Sequence, residues 1–565
     1  MDVTFTESES VAGGLISLFD GSGMIGSDPV SAKSISNGEL KSFREPFRQR
    51  RDLVWFLYLP FVLTVSLTFA SIADDPFITL RTAANLVHGF GPVFNAGQRV
   101  QGFTSPLHLA LTSVLYLIPG GHDLLKLKLA SLVFGVLAIR EGARLIIGLD
   151  LPLWFERLAC LAVSTSWIVA FSSGNGLETS LLMWLLIALA RRLVLDGPNK
   201  SLPVLITLGA GAVLTRTDAL APLVAMAAAG LLLERNTEWR RRIAWLVGPI
   251  IAAVIIVIGE ALYFGSVLPN TFYAKDMQVG RALSLGLGYL VDPFRKEVSA
   301  VVRPEGTVAI VFYVQIALLL LGLYALWKHL PRCWYLVAML AGQVVFVLMS
   351  GGDWMIGGRF VAPAVIPLII VEVLGVWSLV EFCRHHPRIG SSQGAALLGI
   401  AALVVASVLP LQSTNAPVWK IRGVDDQSLL ASGQYGAFSQ IWATLPGNLE
   451  CLHSGQLVAA SEVGYLGFAR QDLRLLDLRG LTDRNIAMDA PTSDKWPWGV
   501  QDPKWYLSNS SVGRVITHER PVAIVTFDLA PTEILGGLYR VTRVMLFSQY
   551  SVSIYSRRGS SYPCR

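Results

Sequence analysis

Runs of about twenty predominantly apolar residues recur along the first three-quarters of the chain, and that is the length an α-helix needs to cross the hydrocarbon core of a bilayer. In lipid every backbone polar group must be satisfied within its own segment, so such runs fold as helices. Candidate spans fall at 52–72, 124–147, 156–172, 179–195, 201–215, 219–233, 243–264, 307–327, 333–350, 360–380 and 393–412, roughly eleven in all by hydropathy. The segment 106–118 is too short to cross and reads as an in-plane helix. A hydrophobic content of 53% with only 15% charged residues and a mean hydropathy of +0.53 excludes an ordinary soluble domain. The fold class read from this pattern is a polytopic α-helical membrane protein.

A net charge of +6 on a compact basic face would suggest nucleic acid, but here the basic residues sit between apolar runs, as they do when they orient a membrane protein. No nucleic-acid partner is expected; the lipid bilayer is. Arg44, Arg48, Arg50 and Arg51 precede the first span. Alternating from there, one side receives Arg140 and Arg144, Arg191 and Arg192, "ERNTEWRRR" (234–242), Lys328 and Arg332, and "CRHHPR" (383–388). By the positive-inside rule that side is cytoplasmic. Residues 1–51 are polar, rich in Ser and Gly, and without the apolar core of a signal peptide, so they read as a mostly disordered cytoplasmic tail. The helical region then covers 52–412, with a first outer loop at 73–123, and 413–565 form an extracytoplasmic domain. The expected location is a bacterial plasma membrane, crossed many times.

The opposite side receives "ADDPFITLR", "SSGNGLETS", "TRTD", "FGSVLPNTFYAKDM" and "SGGDWMIGGRF". Asp74 and Asp75 stand immediately before an amphipathic stretch that carries Arg81, where helix-terminal N–H groups stabilise negative charge. One of these acids can cap that helix while the other faces a cavity. Asp353 and Arg359 lie in a loop with four glycines, which lets backbone approach a ligand; a surface ion pair in a turn is the plain alternative. Arg216 and Asp218 sit at a hairpin tip. Asn270 and Lys275 follow a helix end, where a lysine could simply snorkel. Glu178 opens a helix, where capping explains it equally well. Each feature alone is weak; together they gather acids and cations at one membrane face, which suits a lipid-phosphate substrate. A transporter would place its polar groups near mid-membrane instead.

"ADDPFITLRTAANLVHGFGPVFNAGQRVQGFTSPL", "GNGLETSLL", "LTRTDAL", "LPNTFYAKD", "GGDWMIGGRFVAP" and "LDLRGLTDRNIA" resemble, in order, the motifs of the terminal β-arabinofuranosyltransferase group of bacterial GT-C membrane glycosyltransferases. The resemblance runs from about residue 70 to 490. It implies a GT-C-like fold, a polyprenyl-phosphate sugar donor carrying arabinofuranose, an extracytoplasmic polysaccharide or glycoconjugate acceptor, and a catalytic acid matching Asp74 or Asp75. The candidate donor-phosphate residues are Arg81, Arg216, Lys275 and Arg359. The candidate substrate-binding residues are Asn95, Thr104, Glu178, Asp218, Asn270, Asp353 and Trp354. Gln101 stands where the group usually has Glu, His108 where it has an aromatic residue, and Asp218 where Glu is more frequent. The Gly-His-acid-Lys stretch expected after "GLTD" is absent, with His518 a poor stand-in.

Transfer from a sugar phosphodiester to a hydroxyl needs a base for the attacking O–H. It needs no general acid, because polyprenyl phosphate leaves readily; the leaving group needs positive charge, which Arg supplies as a bidentate fork. The base is read first as Asp74, with Asp75 in support, the reverse order also being open. The paired acids could hold a divalent cation, but no diagnostic ligand spacing accompanies them, and no metal or other cofactor is assigned. The competing readings are a polytopic lipid or sugar transporter and a non-catalytic scaffold.

Beyond 413, "RLLDLRGL", "PVAIVTF" and "YRVTRVMLFSQYSVSIYSR" read as strands and "GQYGAFSQIWATL" as a helix, giving a small α/β domain with its own core. Trp496, Trp498 and Trp505 cluster there. Of the five cysteines, Cys451 and Cys564 fall in this polar region and are candidates for a disulfide.

Overall fold

A computed structural model of the chain describes residues 52–386 and 444–559, apart from positions 71, 236, 302–304, 354, 356, 503, 528–530 and 547–550, together with 394 and 399. The amino-terminal tail, nearly all of the expected span 393–412, most of the expected helix at 433–445, Trp354 and Cys564 lie outside the described residues.

The first apolar run forms α1 (Asp52–Thr68). The outer loop holds α2 (Asp75–Val87) and α3 (Pro106–Leu117), each with a proline in its first turn, where the missing N–H costs nothing. The helix at Pro106–Leu117 is as short as the sequence leads one to expect. Then follow α4 (Asp123–Gly148), α5 (Leu153–Thr165), α6 (Trp167–Gly174), α7 (Thr179–Leu195), α8 (Leu202–Thr215), α9 (Leu220–Leu233) and the short α10 (Trp239–Ile243). The helical part continues with α11 (Val247–Phe264), α12 (Asn270–Lys275), α13 (Val279–Val301), α14 (Glu305–His329), α15 (Trp334–Ser350) and α16 (Ala362–His385).

Among the described residues, three helical stretches are long and apolar enough to cross a membrane: Trp239–Phe264, Pro331–Ser350 and Ala362–His385. The pair α5 and α6, bent by 46°, makes a fourth if taken as one broken span. Five further apolar helices are shorter, including those at Leu202–Thr215 and Thr217–Leu233. The expected eleven is therefore reached only by counting short or charge-bearing helices: α4 carries Lys128, Arg140, Glu141 and Arg144 within its length. Much of α11 leaves isoleucines and valines exposed, from Ile250 to Ile258, the surface a lipid-facing helix presents. The inward faces of α4 to α9 and α14 to α16 form one continuous apolar core.

The carboxyl-terminal part alternates β1 (Leu457–Ala460), α17 (Gly464–Ala469), β2 (Arg474–Asp477), α18 (Arg484–Asp489), β3 (Lys495–Trp496), β4 (Gly499–Val500), α19 (Ser511–Glu519), β5 (Ala523–Thr526), β6 (Glu533–Ile534), β7 (Tyr539–Leu546) and β8 (Ser551–Arg557). Six strands form one mixed sheet in the order β2-β1-β5-β8-β7-β6. The three on one side are parallel and the remainder pair antiparallel. Strand residues alternate between faces, as the period of two requires. Ala459, Ile524 and Tyr555 pack with Ile486, Val512 and Ile516 of α18 and α19. Val458, Ala460, Ala523 and Val525 pack instead with Phe77, Leu80 and Phe94 of the outer loop. One face of the sheet thus shares its core with the outer loop of the helical part.

Candidate functional site

The two acids of "ADDP" have different environments. Asp74 occupies the position before α2, and its backbone oxygen accepts from Phe77 N at 3.1 Å. Its carboxylate makes no cap bond. It turns the other way and accepts from the backbone N–H of Gly464 at 2.7 Å and of Tyr465 at 2.8 Å. Gly464 is required there, since a Cβ would fall 2.2 Å from Asp74 O. Burial pushes the Asp74 carboxyl up to about 7, ahead of the two N–H donors that favour its ionised form and with Asp75 and Asp477 adding repulsion. With both oxygens occupied and the residue buried, Asp74 fastens the outer loop to α17.

Asp75 opens α2 and faces the other way. Its Oδ2 accepts from Nη1 of Arg359 at 2.7 Å. Its side chain remains 25% exposed, and its Oδ1 accepts no hydrogen bond among the described residues. Arg359 also bonds Asp353, through Nη2 at 3.2 Å and through a closer Nε–Oδ2 contact. Asp353 is fully enclosed, with 0% side-chain exposure. The loop carrying both is possible because Gly351, Gly352, Gly357 and Gly358 all have positive φ, a region other residues seldom adopt.

At the α8–α9 hairpin tip, Arg216 forks onto Asp218 at 2.8 and 3.1 Å and approaches Glu178 at 3.5 Å. Glu178 therefore serves Arg216, and its carboxylate makes no cap bond. The Phe360 ring lies 4.6 Å from the Arg216 guanidinium and 5.3 Å from that of Arg359, a cation–π contact on both. Paired acids hold both guanidiniums above the ordinary arginine range despite burial. Lys275 ends α12 within the field of Arg359, Asp353, Asp75 and Arg216. Burial first, then the two guanidiniums, lower its pKa. Among the described residues it makes no hydrogen bond and no ion pair. The structure thus brings Asp75, Glu178, Arg216, Asp218, Lys275, Asp353 and Arg359 into one cluster drawn from five separate segments.

Other expected site residues go elsewhere. Arg81 is buried, and its guanidinium is spent on Phe94 O at 2.7 Å, Gly467 O at 2.8 Å, Leu473 O at 2.7 Å and Asn95 Oδ1 at 3.2 Å. Asn95 pairs with the backbone of Leu475 in both directions, at 2.8 and 3.0 Å. The Asn270 amide reaches the carbonyls of Gly480, Leu481 and Asp483 at 2.6, 3.2 and 3.1 Å. All three join the helical part to the sheet and spend most of their donors there. Thr104 is exposed and makes no hydrogen bond to the cluster among the described residues. Gln101, at the position where Glu was expected, donates to Glu260 at 2.8 Å. His518 is exposed and faces only Glu519. Trp496 and Trp498 stack on each other at 4.9 Å, and Arg281 lies 3.7 Å over Trp496. Cys451 is disulfide-bonded. Among the described residues, no group of three or more His, Cys, Asp or Glu could hold a metal.

Sequence reasoning missed Glu462 and Arg479. Glu462 follows β1, in "SEVGYLG", and shares the electrostatic field of Asp74, Asp75 and Asp477. Arg479 follows β2 and stands 3.9 Å from Glu462. Burial pushes Glu462 up to about 8, against the pull of Arg479. The available signal was their place just past two short apolar strands.

Residues 432–556 match a family described only as a domain of unknown function (DUF8728). The chain is 28% identical over 345 residues to the terminal beta-(1->2)-arabinofuranosyltransferase of Mycobacterium tuberculosis, a match covering 54% of this chain and 52% of that protein. It thus spans about half the length of that relative. A match to the protein of the same name from Corynebacterium glutamicum is 61% identical over 36 residues, 6% of this chain and 5% of that one. Among solved structures, the oligosaccharyltransferase of Archaeoglobus fulgidus in its apo form superposes with a TM-score of 0.51 at 14% identity, covering 86% of this chain and 70% of that one. Over the matched part the chain therefore shares the fold of that oligosaccharyltransferase, a GT-C enzyme.

Proposed function

We propose that this chain is a membrane glycosyltransferase that moves arabinofuranose from a polyprenyl-phosphate donor to a glycan acceptor outside the cytoplasm, with inversion at the transferred carbon. The observation that carries the reading is Asp75: a carboxylate with one oxygen fixed by Arg359 and the other without a hydrogen bond among the described residues, in the field of a lysine that makes no ion pair or hydrogen bond among them. The GT-C fold and the similarity to two terminal arabinofuranosyltransferases support it. The sequence order of Asp74 as base and Asp75 as support is reversed in this proposal, because Asp74 has neither a free oxygen nor exposure.

In the proposed reaction, Asp75 Oδ1 takes the proton of the acceptor hydroxyl as its oxygen attacks the anomeric carbon. The bond from that carbon to the phosphate oxygen breaks on the opposite face, and its electron pair leaves with polyprenyl phosphate. Lys275 faces the growing charge on that leaving oxygen. A lysine without a carboxylate partner can meet a phosphate without first breaking an ion pair, whereas Arg216 and Arg359 would have to. Those two arginines set the field and hold the acids in place. Outward orientation of the cluster and of the carboxyl-terminal sheet belongs to the same proposal.

The test is transfer of radiolabelled sugar from polyprenyl-phosphoryl-arabinofuranose to a synthetic arabinofuranosyl oligosaccharide by the purified protein in lipid. Transfer that disappears in Asp75→Asn at matched protein levels supports the reading. Wild-type transfer in that variant, or no transfer by the wild-type protein with this donor, would overturn it.

A further inference from the structure

The role of the carboxyl-terminal sheet is not explained by holding the outer loop, since a loop could be fastened by any apolar face. Its three parallel strands lie in the order β2-β1-β5. From β1 the chain passes through α17 to β2 on one side, and from β2 it returns across β1 to pair β5 on the other. In an open α/β sheet such a reversal leaves a crevice at the carboxyl ends of the strands, and ligands bind there. Ser461 and Glu462 leave the carboxyl end of β1, and Arg479 leaves that of β2. At the same edge Asp74 is gripped by the N–H groups of Gly464 and Tyr465. Asp75, next in sequence to Asp74, acts electrostatically on Glu462, so this edge of the sheet lies near the Asp75 cluster.

Resting on the glycosyltransferase reading above, we propose that Glu462 and Arg479 form an acceptor subsite that holds the hydroxyl-rich end of a glycan against Asp75. The two side chains stand 3.9 Å apart, too far for a direct hydrogen bond, and keep 20% and 25% of their surfaces exposed. Each retains hydrogen-bonding capacity that its partner does not use. Ser461 Oγ, on the residue before Glu462, is buried and makes no hydrogen bond among the described residues. A carboxyl that accepts from one hydroxyl and, when protonated, donates to another, a guanidinium that donates in a fork and a hydroxyl that does both match the vicinal hydroxyls of a sugar. The charge balance selects the acceptor over the donor. The charges that act on Glu462 are Arg479 and the three acids Asp74, Asp75 and Asp477, a field that disfavours the donor phosphate and tolerates a neutral sugar. Asp477 adds order, since it accepts from the N–H of Arg479 at 2.9 Å and of Thr482 at 2.8 Å and so fixes the turn that presents Arg479.

The experiment measures steady-state transfer in lipid, varying the arabinofuranosyl oligosaccharide and the polyprenyl-phosphoryl-arabinofuranose in turn. For Glu462→Gln and Arg479→Gln, KM for the oligosaccharide is expected to rise by about tenfold or more, the loss of roughly one charge-assisted hydrogen bond. KM for the donor should stay within about twofold, because neither side chain touches it in this arrangement. Slow release of free arabinose from the donor without acceptor should continue in both variants and stop in Asp75→Asn. Should Glu462→Gln fail to fold, Glu462→Asp and Arg479→Lys carry the same test, with partial rescue expected. Unchanged KM for the oligosaccharide in folded variants, or equal rises for donor and acceptor, overturns the subsite. Retained transfer in Asp75→Asn overturns instead the reading it rests on.

Discussion

Asp75 Oδ2 lies 2.7 Å from Nη1 of Arg359, a residue 284 positions further along the chain. This one pair joins the first outer loop to the glycine-rich loop before α16, and Arg359 then reaches Asp353. A carboxylate held on one side only is fixed in orientation while its other oxygen stays available.

The two neighbouring acids should therefore respond differently to the same change. Asp75→Asn is expected to lower the transfer rate by about 10²- to 10⁴-fold, the usual contribution of a general base, with little change in thermal stability. Asp74→Asn turns an NH₂ group toward a backbone N–H and leaves that donor unsatisfied. It should cost about 1–3 kcal/mol, read as a lowered midpoint in thermal unfolding and as easier proteolysis between the helical part and the sheet. Equal activity losses at equal stability in the two variants would contradict this division.

Arg359 is expected not to tolerate truncation. Its removal leaves Asp353 without its ion-pair partner at 0% side-chain exposure, and breaking one half of a buried pair costs about 3–5 kcal/mol. Arg359→Lys keeps the charge but cannot fork to two carboxylates. Its protein should fold and transfer slowly, whereas Arg359→Ala should fail in a detergent-extraction and thermal-unfolding assay. Normal yield of Arg359→Ala would show that Asp353 finds another partner.

Much of this was legible in the sequence because it depends on short-range pattern. The apolar runs announced helices, the length of 106–118 announced that α3 would be short, and the alternation in 539–557 announced the strands β7 and β8. The clustering of Asp75, Arg216, Lys275, Asp353 and Arg359 was legible only as a set of weak motifs at one face. The functions of Arg81, Asn95 and Asn270 were not legible at all. Each spends its donors on backbone carbonyls of residues at 467, 473, 475 and 480–483, contacts that arise from how two distant stretches pack and leave no local signature. Glu462 escaped notice for the same reason: nothing in "SEVGYLG" tells that α17 would meet Asp74.

Lys275 offers a separable prediction. Lys275→Gln removes the one cation of the cluster that makes no ion pair or hydrogen bond among the described residues. The expected result is a rise of about tenfold or more in KM for the polyprenyl-phosphate donor, the scale of one charge-assisted contact, with KM for the acceptor unchanged. Competition by free polyprenyl phosphate should weaken in parallel. Undiminished inhibition by that lipid in the variant would assign the phosphate to another residue.

The last prediction concerns pH. Burial raises Asp74 to about 7 and Glu462 to about 8, and Asp477 shifts upward as well. The groups facing Glu462 are Arg479, Asp74, Asp75 and Asp477. A carboxyl that binds its proton more tightly folded than unfolded makes the folded state hold more protons between the ordinary carboxylate range and pH 8. Stability then has a negative slope with pH in that window. The contribution of these groups is complete below their unfolded pKa and is lost as pH rises through about 7 for Asp74 and about 8 for Glu462. The thermal midpoint of the wild-type protein should accordingly fall between about pH 5.5 and about pH 8.5, and Glu462→Gln, which cannot ionise, should flatten the fall. Infrared difference spectra should show a protonated carboxyl band that disappears between those pH values in the wild type and is diminished in the variant. A wild-type midpoint that rises across the same interval, with no carboxyl band to lose, would mean that the acids between loop and sheet are already ionised, and that the guanidinium of Arg479 outweighs their burial.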